Sequence, residues 1–311
     1  MDTTKIKQPV IYLPFEERLP DTNYHDLLAY IMKHGEEKYS PFHKEKKKRI
    51  SGCVMRFNMK NGFPIITERR MSEKLFKGSL GEIIGFANGA RTLDQLEKYG
   101  CPRKFWERWV TAEKCADFSL EPGDLGPASY GPAWTQFPTH YGYAFNQIEN
   151  IQRQIREFPN IRTHYLMPLI PYMTCSGNKD FPRQVVVAPC HGSIQLDLEE
   201  ESKTLTLIHT QASADVPVGL PNNIMQYAGL GMKFASSIGY EFKQYVHILL
   251  DAHIYERQYI HVEEMLRREP RKLPTVTLLQ SHNRIEDFRV DDFSRSDYNP
   301  HPPIGDIDTP I

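Results

Sequence analysis

Val185-Val186-Val187-Ala188-Pro189-Cys190-His191-Gly192-Ser193-Ile194-Gln195-Leu196-Asp197-Leu198 decides the reading of the fold. Its β-branched and alternating apolar residues predict a strand over 185–198, with Cys190 inside it. A second run, Thr204-Leu205-Thr206-Leu207-Ile208-His209-Thr210, predicts another strand, and 245–250 a third. Between and after them, 224–238 and 252–266 carry helical spacing. Strands interleaved with helices, without internal repeats, point to one mixed α+β domain.

Working outward from that centre, residues 1–20 hold Pro9, Pro14 and Pro20 among mixed charges, and read as an arm preceding a single domain over 21–311. A helix begins at Asp21, with Leu27, Leu28 and Ile31 on one face and Gly35 as its stop. The run 44–49, Lys-Glu-Lys-Lys-Lys-Arg, is either a solvated loop or a phosphate-facing segment, and it leads into a strand over 50–58. Residues 73–88 predict an amphipathic helix ending at Gly89. Glu82 lies inside it beside Leu80, Ile83 and Ile84. It is an exposed-face carboxylate or, if buried, one whose raised pKa suits proton transfer. Residues 101–139, rich in Trp, Gly and Pro, have the profile of a functional loop region, and 146–158 is again helical.

Lys and Arg total 38 against 39 Asp and Glu, a formal net charge of -1 over 311 residues. No global field favours DNA or an anionic membrane, so any phosphate must be recognised locally. Five cysteines, without a CxxC pair, argue against a disulfide framework or a zinc knuckle, so no metal is expected and a reducing cytoplasm is. The N-terminus lacks an apolar signal core and no stretch approaches the ~20 apolar residues of a membrane span.

A lone cysteine is more often an inert core residue than a nucleophile. The ordered set of motifs separates the two: Pro189-Cys190-His191 with Gln195, then Ser213-Ala214-Asp215-Val216, Gly219-Leu220-Pro221-Asn222-Asn223-Ile224, and Asp251-Ala252-His253-Ile254-Tyr255. Together with Met55-Arg56-Phe57-Asn58, Gly123-Asp124-Leu125-Gly126-Pro127 and Tyr298-Asn299-Pro300-His301-Pro302, this string resembles the thymidylate synthase family over nearly the whole chain after Tyr24.

The resemblance implies a large mixed sheet packed with helices, a homodimer, and transfer of one carbon from 5,10-methylenetetrahydrofolate to C5 of a pyrimidine nucleoside monophosphate. Cys190 matches the nucleophile that adds at C6. Glu82, with Asn223, His191 and Tyr130, matches the group that manages protons at the base. Asp215 matches a residue touching both the catalytic loop and the folate. Gln211 and Ser213 fall on the substrate side, and His253 and Tyr255 match the pair that grips the ribose. Trp106, Trp109 and Gly219 match the folate pocket, Ile311 the terminal residue that closes it, and Arg162 a cation reaching the partner's phosphate site.

The chain also departs from the family pattern. Ala212 stands where the family carries a phosphate-binding arginine, Thr163 follows Arg162 where a second arginine is usual, and an Arg-Thr-Gly loop is replaced by 42–49. The lysine run and Arg183 are the expected substitutes. A phosphate site rebuilt this far suits a relative that hydroxymethylates CMP or dCMP better than one methylating dUMP. Asn222 is expected to add a second amide at the base, while Asn223 itself matches a uracil reader. An inactive nucleotide- or RNA-binding regulator is the reading of another class.

Overall fold

The computed structural model describes residues 8–41, 43–175 and 179–310. Its main sheet contains β1 (Glu36–Ser40), β2 (Glu45–Asn58), β3 (Tyr165–Leu166), β4 (Ser193–Glu199), β5 (Thr204–Gln211), β6 (Ala214–Asp215) and β7 (Glu241–Tyr255). The order is β1-β2-β7-β5-β4-β3, with β6 alongside β7. β5 and β6 run parallel to β7 and the other pairs are antiparallel, so the sheet is mixed. A small second sheet pairs β8 (Thr275–Leu278) with β9 (Phe293–Ser296).

β5 shows why the centre of the sheet is where it is. Its side chains alternate, with Leu205, Leu207, His209 and Gln211 buried, and the inward set includes two polar residues. The parallel step to β7 needs a crossover, supplied by the helix Gly219–Ile238. Gly239, at φ +72, ends that helix in the left-handed conformation a glycine adopts without strain. The helix lies so close to β7 that a Cβ at Gly231 would sit 2.3 Å from the Phe242 ring. On its other flank a Cβ at Gly229 would meet Leu80 at 2.4 Å, which draws in the helix Glu73–Ala87 that carries Glu82.

Four predicted elements shift. The 185–198 strand shortens to β4, because Pro189 cannot donate to a ladder and Gly192 turns at φ +102, so Cys190 sits on a loop before the strand. The 50–58 strand extends back to Glu45, so the lysine-rich run is strand rather than loop, paired Lys47 to Tyr255 and Arg49 to His253. The helix expected from 252 begins only at Tyr259, since 252–255 completes β7 against that same run. β7 itself begins at Glu241 rather than 245. Residues 8–20 run along the small sheet, where Gln8 and Tyr12 hydrogen-bond the carbonyls of Leu278 and Val276 and Arg18 that of Leu273.

Candidate active site

The loop holding Cys190 is fixed from both sides. The Cys190 N–H donates to Tyr130 Oη at 2.8 Å, and its carbonyl accepts from the N–H groups of Ala212 at 2.7 Å and Ser213 at 3.3 Å. Tyr130 stacks on His191, with ring centroids 4.4 Å apart, and His191 Nδ1 bonds Tyr227 Oη at 2.6 Å. Cys190 is a partly buried residue, and its Sγ lies 3.4 Å from the Ala188 carbonyl. Burial pushes its thiol up from the ordinary value, and the Arg183 guanidinium pulls it part of the way back. Arg183 is held for this by the carbonyls of Val185 and Val186 and by the Phe118 ring.

Glu82 is buried, at 7% exposure. One carboxylate oxygen accepts from Trp106 Nε1 and the other from Gln226 Nε2. Desolvation raises its pKa to about 7, with both hydrogen bonds opposing the rise. Gln226 Oε1 accepts from Asn223 Nδ2 at 2.9 Å, and Asn223 Oδ1 accepts from Gln211 Nε2 at 2.9 Å. Glu82, Asn223 and Gln211, remote in sequence, therefore form one continuous polar wall. Asn222 does not join it: its amide bonds Ser79 Oγ and the Val218 carbonyl, and the second amide beside Asn223 is that of Gln226.

Asp215 is held by Gln258 Nε2 and by Thr309 Oγ1 at 2.6 Å, which docks the C-terminal tail onto it. Arg108 Nη2 reaches the Thr309 carbonyl at 2.5 Å and strengthens that docking. Ile311 lies outside the described residues. Gly219 leaves bare backbone between Asp215 and Asn223, since a Cβ there would stand 3.9 Å from Asp215 Cβ and 4.0 Å from Asn223 Oδ1. Trp109 is half-buried beneath Arg108 and Lys114, while Trp106 is committed to Glu82.

At the far end His253 Nδ1 bonds Asp251 at 2.9 Å, and its ring packs edge-on against Tyr255, whose hydroxyl meets His43 Nδ1 at 2.9 Å. Lys47 and Arg49 each lie 3.5 Å from the Asp251 carboxylate. Strand alternation turns Lys48 the other way, onto the Met32 carbonyl. Two cations of the run thus stand beside the His253–Tyr255 pair. Arg162 is exposed at the sheet edge, where its carbonyl accepts from Gln195, and no hydrogen bond or ion pair joins it to this cluster among the described residues.

Sequence reasoning missed Gln226, His209, Tyr245 and His247 and found the rest of the wall through motifs. The available signal was alternation: 205, 207, 209 and 211 on β5, and 245, 247 and 249 on β7, face the same interior. Among the described residues no cluster of His, Cys, Asp or Glu could hold a metal, and no helix is long and apolar enough to cross a membrane. A thymidylate synthase family model matches residues 22–307. The chain belongs to that family, whose members transfer one carbon from methylenetetrahydrofolate to C5 of a pyrimidine nucleotide.

Proposed function

We propose that this member of the thymidylate synthase family hydroxymethylates C5 of cytidine monophosphate, or its deoxy form, through Cys190. The observation that carries the reading is the wall from Glu82 through Gln226 and Asn223 to Gln211, whose neighbour Ala212 hydrogen-bonds the Cys190 carbonyl. Pyrimidine C5 is a weak nucleophile, and addition of the Cys190 thiolate to C6 moves the ring electron pair onto C5 and the C4 substituent. Bound methylenetetrahydrofolate supplies the electrophilic carbon. Asn223 reads the base edge, and Glu82, with a pKa near neutrality, handles the proton that leaves C5. His191 and Tyr130 hold the loop. Tetrahydrofolate leaves the transferred carbon, water adds to that carbon to give the hydroxymethyl group, and release of the Cys190 sulfur from C6 ends the cycle.

Support for the cytidine and hydroxymethyl branch comes from the sugar-phosphate end. Ala212 offers only its backbone, to the Cys190 carbonyl, and Lys47 and Arg49 supply cations instead, with Arg183 acting on the thiol. We read Ser213 and Gln211 as further substrate contacts, and Asp215, Gly219, Trp106 and Trp109 as the folate side. Residues 21–311 act as one catalytic domain, with 1–20 as its arm. Val54 and Leu250, about half exposed on neighbouring strands, and Arg162, whose side chain has no ion-pair partner among the described residues, suit a homodimer in which Arg162 serves the partner.

Methylation of dUMP is the second reading. It is favoured by Asn223 itself, an uncharged amide that can complement the N3 donor and C4 acceptor of uracil. Turnover of CMP, dCMP and dUMP with methylenetetrahydrofolate separates the two. Hydroxymethylation adds CH2O to a cytidine nucleotide and returns tetrahydrofolate. A CH2 gain on dUMP with an absorbance rise from dihydrofolate contradicts the first reading.

A further inference from the structure

Behind Gln211 the polar wall continues into the core, where the chemistry described so far makes no use of it. His247 Nε2 lies 2.9 Å from Gln211 Oε1, Tyr245 Oη 3.0 Å from His247 Nδ1, and His209 Nδ1 3.3 Å from Tyr245 Oη. His209 Nε2 ends the run at 3.0 Å from the Gly192 N–H, two residues after Cys190. All three side chains are fully buried, and neighbouring strands place them in register, His209 beside His247.

The direction of every bond in this run is forced by groups that cannot reverse. The Gly192 N–H can only donate, so His209 Nε2 accepts and its proton sits on Nδ1. That proton goes to Tyr245 Oη, leaving the tyrosine hydrogen for His247 Nδ1. His247 then carries its proton on Nε2 and donates to Gln211 Oε1. From the other side the Ser213 carbonyl can only accept, and it takes a hydrogen from Gln211 Nε2 at 2.9 Å, which fixes the same orientation of that amide. Asn223 Oδ1 must then face Gln211 and Nδ2 must face Gln226. Turning Asn223 over would set two donors against each other on one side and two acceptors on the other, among side chains that are all buried. Both histidines are held neutral by burial, so neither ring gains a second donor that would break the sequence.

We propose that His209, Tyr245 and His247 are positioning residues that lock the Asn223 amide and so set the preference between cytosine and uracil from behind the pocket. The inference rests on Asn223 reading the base. Cytosine and uracil present opposite donor and acceptor patterns at N3 and C4, and an asparagine free to turn complements either. A locked one complements one pattern and opposes the other. This explains how an amide that could serve both bases discriminates, without a charged residue at the base edge.

The test measures binding of CMP and UMP to the full-length protein by calorimetry, with kcat/KM for each alongside. His247→Phe removes both bonds of that ring, and His247→Gln keeps one donor and one acceptor. The wild type should separate the two nucleotides, His247→Phe should compress their ratio by about tenfold or more, and His247→Gln should restore most of it. Asn223→Asp is measured in parallel and should shift the ratio. A shift with Asn223→Asp but none with His247→Phe overturns the relay and leaves the base reader standing, whereas no shift in either overturns the reader as well. A wild-type ratio near one also overturns the proposal. If His247→Phe does not fold, nitrogen-15 shifts of the wild-type imidazoles decide: the proton is expected on Nδ1 of His209 and Nε2 of His247, and any other pair of tautomers contradicts the lock.

Discussion

The two ends of the candidate site, which we read as holding the base and the sugar-phosphate, are built from different materials. At the base end, Glu82, Gln226, Asn223 and Gln211 form a wall that is buried, hydrogen-bonded in one direction and free of fixed positive charge. At the sugar-phosphate end, Lys47, Arg49 and Asp251 are partly solvated ions spaced at 3.5 Å. An ion is a long-range, weakly directional partner, so one cation can stand in for another, and Ala212 marks such a replacement. A buried amide works only in a fixed orientation and cannot be moved elsewhere. The family's base-side motifs are therefore kept in this chain while its phosphate motifs are rewritten.

Changes that strike the base end should have the largest effects. Cys190→Ser should lower turnover at least about 1,000-fold and abolish tritium release from C5 while the far-ultraviolet circular dichroism stays unchanged. Glu82→Gln should cost roughly 100- to 10,000-fold in kcat. In the wild type, kcat/KM should rise with pH around 7 as the Glu82 carboxylate forms, and that limb should vanish in the variant. A limb that persists would assign it to another group.

The sugar-phosphate end should respond more mildly and differently. Lys47→Ala or Arg49→Ala should raise the KM for nucleotide by roughly ten- to a hundredfold, the scale of one charged hydrogen bond, and leave kcat near its starting value. The effect should shrink in high salt, since screening acts on solvated ions. A fall in kcat without a change in KM would instead place these cations in the chemistry.

Stability should reveal the same contrast between buried neutral and solvated charged groups. His191 and His247 are lowered to about 3 by burial, so the unfolded chain binds protons that the folded one refuses. Stability should fall as the pH drops from about 6.5 toward 3, read as a lower urea midpoint. Lys233 is the core's counterexample: its amine is buried over Phe288, has no hydrogen-bond partner among the described residues, and is lowered to about 7. Between that value and its ordinary pKa only the unfolded chain is protonated there, so stability should climb with pH through that window. Lys233→Met should remove the slope and raise Tm by a few degrees at pH 7.

The sequence carried the chemistry of this site more clearly than its wiring. Cys190, Asn223 and Asp215 each sit in a short motif, and Glu82 stands out as a carboxylate among apolar neighbours on a helix. Gln226, His209, Tyr245 and His247 belong to no such motif, because their partnership arises from the parallel register of β5 and β7 and from the crossover helix packed on them. The antiparallel pairing of β2 with β7 likewise escaped the local reading of 44–49, where a run of lysines looks like solvent-facing loop until Asp251 and Tyr255 appear across the ladder. Alternation was the one local signal that could have marked His209 and Gln211 as inward on one strand.

The central claim is that the Cys190 sulfur adds to C6 of a pyrimidine nucleotide and activates C5. A 5-fluoropyrimidine nucleotide blocks the later loss from C5 and should leave that bond in place. Incubation of the protein with 5-fluorocytidine monophosphate and, separately, 5-fluorodeoxyuridine monophosphate, each with methylenetetrahydrofolate, followed by peptide mass spectrometry, reads it directly. The account predicts a nucleotide adduct on the peptide containing Cys190, absent in Cys190→Ser. An unmodified Cys190 with both analogues, or an adduct on another residue, contradicts it.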